Sequence, residues 1–197
     1  CDLDGLLNVV KSHGLYWIQD IVPNHMAYDS ENKILMDVLE SGENSAYFKF
    51  FDIDWDHPYE NIKGRALAPF LGKFYAECLE NQEIQLKYAD GSLSVNYYNL
   101  SLPLKIESYI KIFAKNLLGL KSKLKDDKET LGRYINALNF LKASSLQDSS
   151  EDRSNQIAHA KKMFFDFYNS CPQIKELVDE NISFFNGKKL RKESFDA

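Results

Sequence analysis

Between Leu3 and Ala27 the chain runs through a helical pattern, a glycine, eight almost continuously apolar residues and a polar cluster, and few architectures accommodate that order. Leu3, Leu6, Leu7 and Val10 fall at i, i+3, i+4 and i+7, one apolar helix face, with His13 in the last turn and Gly14 just beyond it. Leu15 to Val22 is too short for a second helix and rich in β-formers, which predicts a strand covered on both faces in a parallel sheet. A helix followed by such a strand is half of a βα repeat. Pro23 cannot donate to a sheet ladder, so the strand should end near it and release Asn24 and His25 at its carboxyl edge. That edge is where α/β enzymes keep their chemistry.

Downstream the periodicity changes twice. Asp29 or Ser30 can cap a helix with apolar positions Ile34, Leu35, Val38 and Leu39, ended near Ser41-Gly42. Ile84, Leu86 and Tyr88 alternate with polar residues, Ala89-Asp90-Gly91-Ser92 supplies a turn, and Leu93, Val95 and Tyr97 alternate again, which predicts a β-hairpin. Arg65 to Phe70 is a candidate third strand for it. From Ile106 the period becomes helical. The apolar stripes are Tyr109, Ile110, Phe113 and Leu117, then Leu131, Tyr134, Ile135, Leu138 and Leu141. A third holds Ile157, Ala160, Phe164, Phe167 and Tyr168, and a fourth holds Ile174, Leu177, Val178, Ile182 and Phe185. The last begins after Pro172 and stops at Asn186-Gly187. Four amphipathic helices with short polar connections predict a small antiparallel bundle whose stripes are structural core.

A net charge of −5 gives no broad basic field for nucleic acid or an anionic membrane, and KKLRK at 188–192 reads as a solvated loop. No apolar segment approaches the length needed to span a bilayer as a helix. Cys1, Cys78 and Cys171 are few, odd in number and widely spaced, as in a reducing compartment, so the expected location is cytoplasmic. Cys1 stands directly before an amphipathic helix, and Ser194 to Ala197 reads as an N-cap and first turn with no helix behind it; the chain is therefore expected to be an internal piece of a longer protein.

DIVPNH, Asp20 to His25, resembles the first signature of the α-amylase superfamily, glycoside hydrolase family 13, at the end of the third strand of a (β/α)8 barrel. HMAYDSENKILMDVLESGENSAYFKFFDIDWD from His25, Asn61 to Glu80 with its GRALAPFLGKFYAECLE, and YYNLSLPL from Tyr97 to Leu104 together resemble the maltooligosyl trehalose synthase family. Phe185-Asn186-Gly187 and Ser194 to Ala197 look like the return toward that family's barrel. The likeness covers residues 1–105 in fairly specific blocks, and about 106–184 matches as a helical insertion only.

The fold class so implied is an α+β fragment, mostly helical. Residues 1–27 would be a helix and third strand of a (β/α)8 barrel, 28–105 a cleft-walling subdomain with the hairpin, 106–186 a four-helix insertion, and 187–197 the return. The resemblance implies a parent that isomerises the reducing-end α-1,4 linkage of a maltooligosaccharide to α,α-1,1, with no cofactor. His25 would bond a sugar hydroxyl beside the scissile linkage, Asn24 would help position a neighbouring arginine, and Asp20 would hold the local network. The acids of this chemistry lie on later barrel strands in the superfamily, so no catalytic residue is expected here and the piece alone should be inactive. Other readings are a non-catalytic carbohydrate-contacting or structural module, or part of a hydrolytic relative.

Two further segments bear on a glucan cleft. Gly64 to Tyr75 is a Gly/Pro/aromatic loop in which Arg65, Lys73 and Tyr75 are candidate substrate contacts, although arginine and lysine in such loops are commonly surface charges. Tyr47 to Tyr59 is dense in aromatics, which stack on sugar rings and also fill cores. The core reading leads for Phe50 and Phe51, and Trp55 is open to both. Asp52, Asp54 and Asp56 begin like a calcium loop, but His57 stands where glycine is required and Lys63 where glutamate is, so no metal site is expected. Residues 15–22, built to lie between two parallel strands, are expected to pair with another chain, remodel or lose order.

Overall fold

The computed structural model describes residues 3–18, 20, 26–146 and 151–187. These residues form eight α-helices and one three-stranded antiparallel sheet, an α+β arrangement that is mostly helical.

Helix α1, Leu3–Ser12, stops as its sequence requires. Gly14 takes φ +69°, its N–H bonds Lys11 O at 3.0 Å, and Leu15 N–H bonds Val10 O at 3.1 Å, the paired 5→2 and 6→1 bonds of a glycine-terminated helix. No residue of α1 is buried. The strand expected from Leu15 does not form over its described residues: Leu15 to Ile18 lie outside any strand, and Tyr16 and Ile18 are more than nine-tenths exposed. A strand exists by the hydrogen bonds of its neighbours, and the sheet among the described residues is built from other segments.

Helix α2, Lys33–Ser41, is capped by Asn32, whose side chain accepts from Leu35 N, rather than by Asp29 or Ser30. Asp29 instead closes its own turn by accepting from Glu31 N. Ser30 is used further away: its hydroxyl accepts from Ser101 N at 2.9 Å.

After the short helix α3, Tyr75–Glu80, strands β1, Ile84–Ala89, and β2, Ser92–Tyr97, pair with Ala89 opposite Ser92 and Ile84 opposite Tyr97. Asp90 and Gly91 both have positive φ, 49° and 78°, the two-residue turn whose twist matches the strands it joins. The third strand is β3, Leu100–Pro103, with Val95 opposite Leu102. Arg65 to Phe70 forms no strand. Pro69 lacks a donor, and both outer edges of the sheet are already occupied by side chains. Ser30 meets β3, while Asn186 meets β1 by donating to Leu86 O at 2.9 Å and accepting from Leu86 N at 2.6 Å.

Asn186 thus imitates a fourth strand for one residue. Asn186→Ala should cost about 1–3 kcal/mol, because two half-buried backbone groups would lose partners that little water replaces. The checks are a lower urea midpoint at unchanged slope and faster exchange of the Leu86 amide; an unchanged midpoint would mean that water satisfies that edge.

Five helices follow: α4, Ile106–Ala114; α5, Leu117–Lys123; α6, Lys128–Ser145; α7, Glu151–Ser170; and α8, Pro172–Phe185. The first expected stripe is therefore split. Asn116 adopts φ +57°, and the buried Asn181 of α8 donates to Ile112 O at 2.8 Å and Lys115 O at 2.9 Å, the carbonyls that a continuing helix would have used itself. α8 begins at Pro172 and ends at Asn186-Gly187, with Gly187 at φ +71°.

One core joins sheet and helices. Leu93 of β2 is fully buried with Tyr109, Phe113, Leu120, Tyr134, Leu141, Ile174 and Leu177. The Tyr109 hydroxyl accepts from Leu93 N at 2.8 Å, and the Tyr134 hydroxyl donates to Phe113 O at 2.9 Å. Burial pushes both hydroxyls above the ordinary tyrosine range, so both keep their protons at neutral pH. Lys161 of α7 pairs with Glu40 of α2 and lies 5.2 Å from the centre of the Tyr109 ring, tying α2 to the bundle. No helix among the described residues is long and apolar enough to cross a membrane.

Candidate functional site

Between α2 and the irregular chain of 51–70 lies an open cleft of about 740 Å³. Its floor is apolar, from Leu35, Leu39, Ile53, Ile62 and Ala68; Tyr28, Phe51 and Phe70 add aromatic rings, and Asp52, Asp54, His57 and Arg65 add polar groups. The rim is irregular because its sequence holds no repeating apolar period, and side chains brace it. Gly64, at φ +68°, donates its N–H to Trp55 O at 2.8 Å, and its carbonyl accepts from Lys105 Nζ at 2.8 Å. Gly72 N–H donates to the Tyr97 hydroxyl at 3.0 Å, which fixes the far end of the loop to β2.

The sequence candidates divide here. Arg65 lies in the cleft wall. Lys73 and Tyr75 do not line it. Lys73 reaches Glu83 at 2.7 Å and Glu77 at 3.8 Å, and Tyr75, the first residue of α3, is 63% exposed. The hydrogen bond from Lys73 and its charge lower the Glu83 carboxyl, so this pair is ionised at neutral pH. Asp20 is exposed outside any helix or strand, whereas Asn24 and His25 lie outside the described residues.

Sequence reasoning did not single out Tyr28, Asp52, Asp54, His57 or Phe70 as partners of Arg65. For Asp52, Asp54 and His57 the signal available was the aromatic density of 47–59 together with the aspartates rejected as a calcium loop, and Tyr28 and Phe70 lie outside both. Among the described residues no group of three or more His, Cys, Asp or Glu side chains is placed to hold a metal ion. Phe50, expected in the core, is 63% exposed because the one-turn 3₁₀ helix Phe48–Phe50 rotates it outward against Tyr47. Trp55 stacks on Phe48 at 5.4 Å and receives Lys105 over its ring at 5.8 Å, outside the cleft lining.

Chemically, this lining suits a ligand with apolar faces and a hydroxylated perimeter. Flat rings take the C–H faces of a sugar, and carboxylates with a guanidinium take its hydroxyls. Over 74 residues the chain is 42% identical to a protein of Mycobacterium tuberculosis named "Putative maltooligosyl trehalose synthase", found in strains CDC 1551 / Oshkosh and ATCC 25618 / H37Rv. That is at most a weak, partial link to the maltooligosyl trehalose synthases. The matched stretch takes in 35% of this chain and 9% of each relative. No family model matches the chain, and no solved structure does.

Proposed function

We propose that this chain is part of an enzyme that isomerises the reducing-end α-1,4 linkage of a maltooligosaccharide to the α,α-1,1 linkage of trehalose, and that residues 28–105 wall its substrate cleft. The observation that carries this reading is the 42% identity to two relatives named for that synthesis. The aromatic and apolar cleft beside Arg65 supports it.

Glycosidic bond exchange needs a carboxylate at the anomeric carbon and a carboxylic acid at the leaving oxygen. We assign neither role to a residue of this chain, whose part is to bind and to exclude water. Exclusion matters for this reaction, because water competes with the sugar hydroxyl for the glycosyl intermediate and would turn isomerisation into hydrolysis. Asp20, Asn24 and His25 are assigned to the subsite beside the reacting bond on the sequence likeness, and a cytoplasmic location goes with the reading.

The natural protein carrying this chain, incubated with maltopentaose, should consume reducing ends without releasing glucose and yield a non-reducing product ending in trehalose. Release of new reducing sugar would favour a hydrolase. No change in the substrate would leave only a carbohydrate-contacting or structural module.

A further inference from the structure

We propose that Asn186-Gly187 is a self-modifying site: the hairpin edge holds it unreactive while the end of α8 is docked on β1, and separation of the two lets Asn186 convert to aspartate or isoaspartate, neither of which can re-form the same contact. The proposal is independent of how the cleft is read.

Among the asparagines of this sequence, Asn186 alone is followed by glycine. Glycine has no Cβ to hinder the approach of its own nitrogen to the side chain before it. In an open chain the reaction then needs only water. The Gly187 nitrogen, giving its proton to water or hydroxide, bonds to Cγ of Asn186; the bond from Cγ to Nδ2 breaks and that nitrogen leaves as ammonia. Water next opens the five-membered imide. Attack at Cγ leaves aspartate, and attack at the main-chain carbonyl leaves isoaspartate, with the backbone rerouted through the side chain. Nothing is oxidised or reduced.

The fold withholds each reactant. Gly187 N–H is committed to Phe184 O at 3.1 Å, which opposes loss of its proton. Ring closure needs Cβ and the Gly187 nitrogen nearly eclipsed about the Cα–C bond of Asn186, and its backbone at φ −72°, ψ −11° keeps them apart. The carboxamide is held at both ends, Nδ2 donating to Leu86 O at 2.9 Å and Oδ1 accepting from Leu86 N at 2.6 Å. Gln82 Nε2 donates to Gly187 O at 2.9 Å and fixes the other side of the buried glycine. Reaction therefore waits until α8 and the hairpin let go together.

The consequence runs one way. Aspartate still accepts from Leu86 N–H but has no N–H for Leu86 O, and it sets a carboxylate beside that carbonyl. Isoaspartate lengthens the main chain by one carbon, which moves Gly187 off Phe184 and Gln82. An edge that has opened and reacted docks less tightly than before, so the chain keeps a chemical record of its own opening.

The test follows the 197-residue chain under mildly alkaline conditions by peptide mapping, reading the mass change from amide to acid at residue 186. In buffer the conversion should run at least about tenfold slower than in guanidinium chloride above the unfolding midpoint, because it depends on local opening. Gln82→Asn keeps a residue that accepts the left-handed backbone at φ +58° but is too short to reach Gly187. It should raise the rate in buffer about threefold or more and leave the rate in denaturant unchanged. Asn186→Asp, made directly, should fold with a lower urea midpoint.

Equal rates in buffer and in denaturant, or no conversion in either, would overturn the proposal. So would a Gln82→Asn protein, folded by circular dichroism, that reacts as slowly as wild type. The wild-type comparison needs no variant and decides the matter should Gln82→Asn not fold. An Asn186→Asp midpoint equal to that of wild type would show that the modified edge docks as before, which overturns the one-way opening.

Discussion

Phe113→Ala should lower the unfolding free energy by about 3–5 kcal/mol, the usual cost of emptying a fully buried aromatic site. Phe113 is 0% exposed and sits where four elements meet. Its ring stacks on Phe164 of α7 at 4.5 Å, and meets Tyr88 of β1 edge-on at 5.5 Å and Tyr109 of its own helix at 5.9 Å. Its carbonyl also takes the hydrogen bond from Tyr134 of α6. Four backbones hold the surrounding rings, so they cannot all move inward, and a cavity remains. Typical domains have only about 5–15 kcal/mol in total. Chemical denaturation should therefore show a large loss, with hairpin and bundle still unfolding in one transition because they share the core. A loss under about 1 kcal/mol, or separate transitions for residues 84–103 and the helices, would contradict this account.

Asn181→Leu should cost roughly 2–6 kcal/mol although it keeps the branching and the number of heavy atoms and raises the hydrophobicity of a 2%-exposed site. The side-chain amide serves the carbonyls of Ile112 and Lys115, and leucine leaves both without a donor beside the core at about 1–3 kcal/mol each. Helix α4 could recover these bonds by running on through Asn116. That would swing α5 away and expose Leu120, which is completely buried. Amide exchange should speed up at residues 112–120 before it does in α6 or α7. A stabilised variant with unchanged exchange would show that the break at Asn116 is set locally.

These two sites mark where local signals ended. Asp90-Gly91, the stop at Gly14, Pro172 and Asn186-Gly187 were legible because each is a backbone requirement met within a few residues: positive φ, a missing donor, or a helix end to be satisfied. The apolar stripes of α6, α7 and α8 were legible because burying one face of a helix imposes a 3.6-residue period whatever the partner is. Asn181 carried no such mark, since its partners lie 66 and 69 residues away. The third strand, Leu100–Pro103, is only four residues long, too short for its alternation to mark it without its neighbour.

The candidate site was less legible than the fold for the same reason. Arg65 was identified, but its separation from Lys73 and Tyr75, and its grouping with Tyr28, Phe51 and Phe70, follow from how an aperiodic loop is braced by Lys105 and Tyr97. The sequence by itself determined the faces of α6, α7 and α8, the hairpin register and the element ends at Gly14, Asp90-Gly91, Pro172 and Asn186-Gly187, all of which follow from the nearest few side chains and the allowed backbone angles. Tertiary structure alone decided that helix α4 breaks at Asn116, that Leu15 to Ile18 form no strand, and that Arg65 shares a cleft with Tyr28 and Phe70, because each depends on which distant groups are present to pair or pack.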